Sequence, residues 1–553
     1  MRFLLAFLMV CSCVVSCSAV QITEFCPDPY LADDMDEYIV VSGTGSLDAF
    51  AISDNHGGFR FPAGTRIDGT LTVARSAPAF EKTHGRLPDF EWQNYSPQVP
   101  DVVSGTTLRL SNSRDELRVY ENSRLVQTIT WPGDIVPREG QVHFLENGVW
   151  DPRPLMIGQS RLAQQTFDNV TITAFVSPDS SLAVFSRVVA SAQHQVLVNV
   201  YELSSAPITD SLIDAEKRGV DVEVLLEGGP VGGISPEEKA AIWRLNQSGI
   251  PVYEMAAPDG GHAPYRYDHA KYVVIDDRAV FVTSENFGHS GFPATGEVGN
   301  RGWGVYLEDH NLAAYFKDIF RTDTGGPAIV PVYGCEGPAE VYTVVSYPAL
   351  FAPETFAGAR VTPVIAPDTS SAITGLLESA QESIEIEQAY ITNESKTGLN
   401  PYLATAINAS RRGVHVRVLL DSYWFNTEDE ADNDELVALI NRIAATEHLP
   451  LEARCADLEA SGFEKIHNKG VVVDDRAVLV SSINWNTNSP NFNREAGVIV
   501  EHPDVARYFR TVFDADWSPA VRSPQPSTDY LKIACVIAVI GLLLVLYYRR
   551  HIR

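Results

Sequence analysis

Between residues 21 and 132, apolar and polar residues alternate in short runs (EYIVVS, FAIS, FRFP, LTVA, LRLS, LRVY and LVQTITW) separated by Gly, Asp, Asn and Pro. A period of two with turn residues at that spacing predicts an all-β sandwich over 21–132. The Pro- and Gly-punctuated stretch 133–170 reads as a linker. Beyond it, β-branched runs alternate with helical segments, the texture of α/β architecture.

Two unbroken apolar runs sit at the ends. FLLAFLMVCSCVVS (3–16) follows Arg2 and precedes small residues, the layout of a secretory leader, 1–19, cleaved after Ala19. Cys17 ends a string that resembles a lipoprotein cleavage box, in which case it would carry lipid. IACVIAVIGLLLVLYY (533–548), with Lys532 able to snorkel, approaches the roughly 17–25 residues a membrane helix needs. A single transmembrane helix is therefore expected over 531–548, with the basic residues of 549–553 as a cytoplasmic tail. Together the ends place residues 20–530 outside the cell membrane, in a single-pass protein tethered at its C terminus.

Length and composition narrow the class. At roughly 100–200 residues per domain, 553 residues suggest about three domains. With 45% apolar and 20% charged residues, ordinary packed cores are expected and wholesale disorder is excluded. Lys+Arg total 42 against 71 Asp+Glu, a net charge of −29. Setting aside Arg2, Lys532, Arg549, Arg550 and Arg553 leaves 37 basic against 71 acidic residues, a net of −34 for the body. Such a surface repels nucleic acid and anionic lipid at long range, so any phosphate must be met by a local group of cations. Cys26, Cys335 and Cys455 lie in the body, enough for one disulfide and a free thiol, whose pairing spacing leaves open. No cluster has metal-ligand spacing, so no metal or other cofactor is expected.

The α/β part is internally repeated. SAQHQVLVNV (191–200) corresponds to SAQESIEIEQ (379–388), and RGVDVEVLLE (218–227) to RGVHVRVLLD (412–421). HAKYVVIDDRAVFVTSEN (269–286) matches HNKGVVVDDRAVLVSSIN (467–484) without a gap. The growing offset between copies puts insertions between elements and defines two homologous halves, 172–330 and 358–520.

Each copy of the long string carries one constellation: His269, Lys271, Asp276, Ser284 and Asn286 in the first, His467, Lys469, Asp474, Ser482 and Asn484 in the second. YVVID and RAVFV read as two strands joined by a tight turn. Alternation along a strand points His269 with Lys271, and Ser284 with Asn286, to common faces, and the second copy repeats this. Asp276 and Asp474 have the opposite parity and suit an anchoring role within the catalytic motif. If the halves face one another, the lysines and the Ser/Asn pairs supply donors for the non-bridging oxygens of a phosphodiester. One imidazole then attacks phosphorus and the other protonates the leaving alcohol. No metal is required.

The paired pattern closely resembles the phospholipase D superfamily, which includes phospholipases, cardiolipin and phosphatidylserine synthases and metal-independent nucleases. The resemblance covers about 350 residues. It implies one active site on a two-fold-related pair of α/β/α sandwiches, with His269 as nucleophile and His467 as general acid/base. The family's Gly before Ser is Thr283 here and Ser481 in the second copy. The family often has a downstream Glu that orients a catalytic His: NREAGVIV (493–500) supplies Glu495, but NRGWGVYL (300–307) has Gly302, with Glu297 a candidate substitute.

The N-terminal strings Ile22-Thr23-Glu24-Phe25, Glu37-Tyr38-Ile39-Val40-Val41, Leu47-Asp48, Ile52-Ser53-Asp54, Phe59-Arg60-Phe61-Pro62 and Leu110-Ser111-Asn112-Ser113-Arg114-Asp115 resemble a lamin-tail domain, an immunoglobulin-like β-sandwich of binding or tethering proteins. Arg114 stands where that family usually has Gly.

The expected function is a membrane-anchored, extracytoplasmic phosphodiesterase or phosphatidyltransferase acting on phospholipid. A secreted metal-independent nuclease is the first alternative, disfavoured by the acidic body, and a non-catalytic surface binding protein is the second. Oligomeric state is not legible.

Overall fold

The computed structural model describes residues 20–519 except 55, 132–136, 258–261, 339–341, 394–397 and 429–431. The expected leader, the Cys17 lipid site, the 531–548 membrane helix and the 549–553 tail lie outside the described residues. Among those described, no helix is long and apolar enough to cross a membrane.

The N-terminal region is built from two sheets over one core. One runs Val149–Trp150, His143–Glu146, Gln21–Cys26, Tyr38–Ser46, Arg66–Ala74, Phe90–Glu91, and the other Val103–Thr106, Gly58–Arg60, Phe50–Ser53, Asp115–Glu121, Arg124–Trp131. Alternation does what the sequence pattern requires: Leu117 and Val119 point into the core with Ile22, Phe25, Ile39 and Trp131, while Arg118 and Tyr120 between them face outward. A helix, Ala77–His84, capped by Ser76 and ended by Gly85 at φ 67°, interrupts the strands.

The stretch read as a linker contributes to this sheet. His143–Glu146 and Val149–Trp150 form a hairpin whose two-residue turn is Asn147-Gly148, both at positive φ. Its first strand pairs with Gln21–Cys26 and buries Phe144, and Val142 just before it is buried in the same core. Asn-Gly between short apolar runs is a strong hairpin signal, and the flanking Pro and Gly residues masked it.

The remaining strands form one fifteen-stranded sheet whose two halves mirror each other, with Ile329–Pro331 added outside Val252–Met255 at one edge. In the first half the order from outside inward is Val252–Met255, Asp221–Glu227, Gln195–Val200, Lys271–Ile275, Ala279–Thr283, Gly302–Glu308, Phe167–Ser177. The second half repeats it as Leu451–Cys455, His415–Leu420, Ser383–Gln388, Lys469–Val473, Ala477–Ser481, Glu495–Glu501, Glu354–Ala366. Within each half the two outermost of these pairings are parallel and the next four antiparallel. The halves join edge to edge through antiparallel pairing of Phe167–Ser177 with Glu354–Ala366.

The sheet also folds over, bringing Ala279–Thr283 and Gly302–Glu308 against Ala477–Ser481. One apolar core spans the junction and includes Phe316 and Phe320 of helix His310–Asp323 and Phe509 and Phe513 of helix Pro503–Trp517. Separate cores pack the other helices of each half on the opposite face. Cys26, Cys335 and Cys455 are all free thiols.

Two buried arginines, equivalent under the repeat, fix how the halves meet. Arg301 pairs with Asp179 of its own half (2.8 Å) and Asp516 of the other (2.7 Å). Arg494 pairs with Asp368 of its own half (3.2 Å) and Asp323 of the other (2.7 Å). Ion pairs removed from water cost desolvation, and they oppose any other registration of the halves that would leave a buried charge unpaired.

Candidate active site

Each histidine segment is stitched to the opposite half. The His269 N–H donates to the Arg494 carbonyl (2.8 Å), and the Arg494 N–H to the Tyr267 carbonyl (2.9 Å). Symmetrically, the His467 N–H donates to the Arg301 carbonyl (2.9 Å), and the Arg301 N–H to the Lys465 carbonyl (2.8 Å). Carboxylates at the ends of the repeated strands hold the residue before each histidine. Glu227 accepts the Asp268 N–H (2.5 Å) and Asp421 the Ile466 N–H (2.7 Å). The signal for this pair was present in the sequence, since VLLE and VLLD end in an acid at the same place in each copy.

This stitching puts the residue after each arginine beside the opposing imidazole. In the second half that residue is Glu495, whose Oε2 lies 2.8 Å from His269 Nδ1. The same oxygen accepts from Ser482 Oγ (2.6 Å), and Asn493 donates to Oε1 (3.0 Å). In the first half that residue is Gly302, and Glu285 serves instead: its Oε2 lies 3.3 Å from His467 Nδ1 and accepts from Asn300 (3.0 Å), the counterpart of Asn493. A Cβ at 302 would lie 2.1 Å from Glu285 Oε1, so this side chain fills the space that one at 302 would need. The substitute is therefore Glu285, within the Ser-x-Asn string, and not Glu297, whose backbone bridges Ser346. Ile483 occupies the Glu285 position in the other copy, an exchange that a single half does not reveal.

Burial and charge set the protonation states. Burial pushes the pKa of His269 down to about 4 against the field of Glu495, and that of His467 to about 3 with the help of Lys469. Burial would raise both carboxylates, but His269 and Lys271 hold Glu495 below the usual range, and His467 and Lys469 do the same for Glu285. The consistent state is a neutral His269 whose Nδ1–H donates to an ionised Glu495, with the lone pair on Nε2.

Lys271 and Lys469 are fully buried, each donating to the carbonyl of its own histidine. Burial lowers them to about 8 and about 7, and each lies in the fields of both Glu285 and Glu495. Two histidines, two lysines and two carboxylates thus share one electrostatic neighbourhood.

The other motif residues do different work. Asp276 accepts the consecutive N–H groups of Gln193, His194 and Gln195 (3.1, 2.8 and 3.0 Å), and Asp474 those of Gln381, Glu382 and Ser383 (2.9, 2.7 and 2.9 Å). Both sit in turns at positive φ, at the end of the strand away from the histidine. Each ties its turn to the start of the neighbouring strand, Gln195–Val200 or Ser383–Gln388. Ser284 and Ser482 are fully buried and engaged inside the protein: Ser284 Oγ accepts from Trp303 N (3.1 Å) and Ser482 Oγ from Ala496 N (3.0 Å). Of the asparagines, Asn286 donates to Glu202 (2.8 Å) and Asn484 is buried.

Away from this site, Asp54, His56 and Asp115 in the sandwich place potential ligand atoms within 4.8 Å of one another. Backbone N–H groups occupy both carboxylates: those of His56, Gly57 and Arg109 on Asp54, and of Ser111 and Glu116 on Asp115.

A family model described as "Cardiolipin synthase, PLD-like domain" matches twice, over residues 186–324 and 373–517. The chain is 26% identical over 158 residues to a phospholipase D of Rickettsia prowazekii (strain Madrid E), covering 28% of this chain and 69% of that protein. It is 30% identical over 135 residues to cardiolipin synthase B of Salmonella typhi, covering 24% of this chain and 32% of that protein. The crystal structure of phosphatidylserine synthase from Haemophilus influenzae superposes with a TM-score of 0.48 at 14% identity, covering 67% of this chain and 94% of that one.

Proposed function

This chain belongs to the phospholipase D superfamily and is an enzyme of its phosphodiesterase and phosphatidyltransferase class, and on that premise we propose that it cleaves phospholipid headgroups through a phosphohistidine on His269. The observation that carries the reading is the reciprocal pairing of His269 with Glu495 and His467 with Glu285, each histidine held by a carboxylate of the opposite half.

The substrate phosphate binds between Lys271 and Lys469. Its negative charge opposes the effect of burial on His467, which then carries a proton as general acid. His269 Nε2 attacks phosphorus, the bond to the leaving oxygen breaks, and His467 gives that oxygen its proton. Water or a second alcohol then attacks the phosphohistidine, His467 takes its proton, and the P–N bond breaks to restore His269. Charge on the five-coordinate phosphorus is met by the two ammoniums, so the scheme needs no metal. The body's net charge of −34 disfavours nucleic acid, whose binding normally needs a basic track. The 531–548 segment is proposed as a membrane tether holding the body outside the cell membrane. The N-terminal sandwich, by its lamin-tail resemblance, is proposed as a binding or tethering module without chemistry.

The test is a rapid-quench experiment with phospholipid labelled at phosphorus, with EDTA present and single-stranded DNA offered in parallel. The wild type carries transient label, His467→Ala retains it longer, and His269→Ala carries none. Both variants lose about 10³-fold or more in turnover. Label on His269→Ala overturns the assigned order, and DNA cleaved with lipid untouched overturns the substrate class.

A further inference from the structure

The two walls of the site differ in a way the repeat makes measurable. The residue two before each histidine, just ahead of the strand that begins at Lys271 or Lys469, is Tyr267 in the first half and Lys465 in the second. Lys465 is half-buried, and its charge acts on the Asp421 carboxylate. Its ammonium lies 5.9 Å from the centre of the Tyr423 ring and 5.6 Å from that of Phe425. Those rings belong to the turn after strand His415–Leu420, where Tyr423 N donates to Asp421, the carboxylate that also holds Ile466. The corresponding turn of the first half is Gly228-Gly229-Pro230-Val231, without an aromatic residue. Beside His269 stands Tyr201, with ring centroids 4.8 Å apart, and Glu202 holds Asn286. Lys465 also adds to the depression of both His467 and Lys469, which places its charge within reach of the catalytic pair.

The reaction direction gives this asymmetry a meaning. Attack by His269 from the first half expels the leaving oxygen on the opposite side, toward His467. Resting on the phosphohistidine reading above, we propose that Lys465, backed by Tyr423 and Phe425, is a specificity-determining residue that receives a negatively charged group on the leaving alcohol of a phospholipid. A cation against aromatic faces keeps its charge while losing part of its water, so an incoming anion meets less competition from solvent. The wall disfavours a cationic leaving alcohol by repulsion, and against an acidic body its positive charge favours an anionic one.

The experiment compares cardiolipin, whose leaving alcohol is itself a phosphodiester anion, with phosphatidylcholine, whose leaving alcohol is cationic. Both are presented in neutral detergent micelles to wild type, Lys465→Ala, Lys465→Glu and Lys465→Arg, with thermal melting to establish that each variant is folded. Wild type prefers cardiolipin. Lys465→Ala raises the KM for cardiolipin about fivefold with kcat nearly retained, Lys465→Glu reverses the preference, and Lys465→Arg restores it. Lipid turnover with the cardiolipin-to-phosphatidylcholine ratio unchanged in folded Ala and Glu variants overturns the subsite and leaves the catalytic reading standing. Cleavage of neither lipid by wild type overturns both.

Discussion

Glu285 lies 3.3 Å from His467 Nδ1 and fills the volume that any side chain on residue 302 would need. A carboxylate missing from one strand has been supplied from the end of its neighbour, so both imidazoles remain oriented although the repeat is broken at two positions.

Exchanging those positions is the direct check. Glu285→Gln lowers kcat by about 10- to 100-fold, the usual cost of losing an orienting carboxylate. Gly302→Glu alone is also damaging, because its Cβ would meet Glu285 Oε1 at 2.1 Å. The double variant Glu285→Ile with Gly302→Glu recreates the Ile483/Glu495 arrangement and recovers activity to within about tenfold of wild type. Steady-state kinetics on the three variants decide it, and failure of the double variant to exceed Glu285→Gln counts against an orienting role.

Anion binding should take up protons. Lys271 and Lys469 are depressed to about 8 and about 7, so as pH rises through those values the free site loses ammonium charge that a bound phosphate would restore. Inorganic phosphate therefore binds more weakly between pH 7 and 9, by up to roughly tenfold per pH unit for each proton taken up. Calorimetry in buffers of different ionisation enthalpy measures the uptake directly. Lys469→Arg, which stays charged, flattens the dependence.

Asp276 belongs to the motif by sequence and to the scaffold by contact. Asp276→Ala leaves three backbone N–H groups without their acceptor and destabilises the protein by about 2–3 kcal/mol. At temperatures where the variant is folded, kcat/KM changes by less than about threefold. Urea midpoints and kinetics measured together separate this from a catalytic role, which would reverse the ordering.

Arg494→Ala strands Asp323 and Asp368 in the junction between the halves. Removing one partner from a buried ion-pair network costs about 3–5 kcal/mol, and a large fall in the urea midpoint is expected. Stability also depends on pH through the buried histidines. Their folded pKa values of about 4 and about 3 lie below the ordinary value near 6.5, so the unfolded chain takes up protons first. Stability supported by the neutral imidazoles is lost as pH falls from about 6.5 toward 4. His269→Ala weakens that dependence in the same window.

Local pattern carried much of this into the sequence. Alternation with turn residues announced the N-terminal sheets, and the repeated strings announced two matching halves with His and Lys on one strand face. A strand's parity and a turn's chemistry depend on residues within a few positions, so the chain's text is sufficient for them. The Asn147-Gly148 hairpin was legible by the same rule, although its surroundings read as linker.

Which carboxylate orients which histidine was decided only by tertiary structure. Glu495 and His269 are 226 residues apart, and Glu285 reaches His467 from the other half. Such pairings depend on where the folded sheet brings the Asn-Arg strand starts, and the buried pairs of Arg301 and Arg494 hold that registration. Periodicity cannot encode a contact between distant strands or the empty volume above a glycine. The repeat determined that two sets of histidine and lysine exist, and the packing of one half on the other determined that they share one site with two unlike walls.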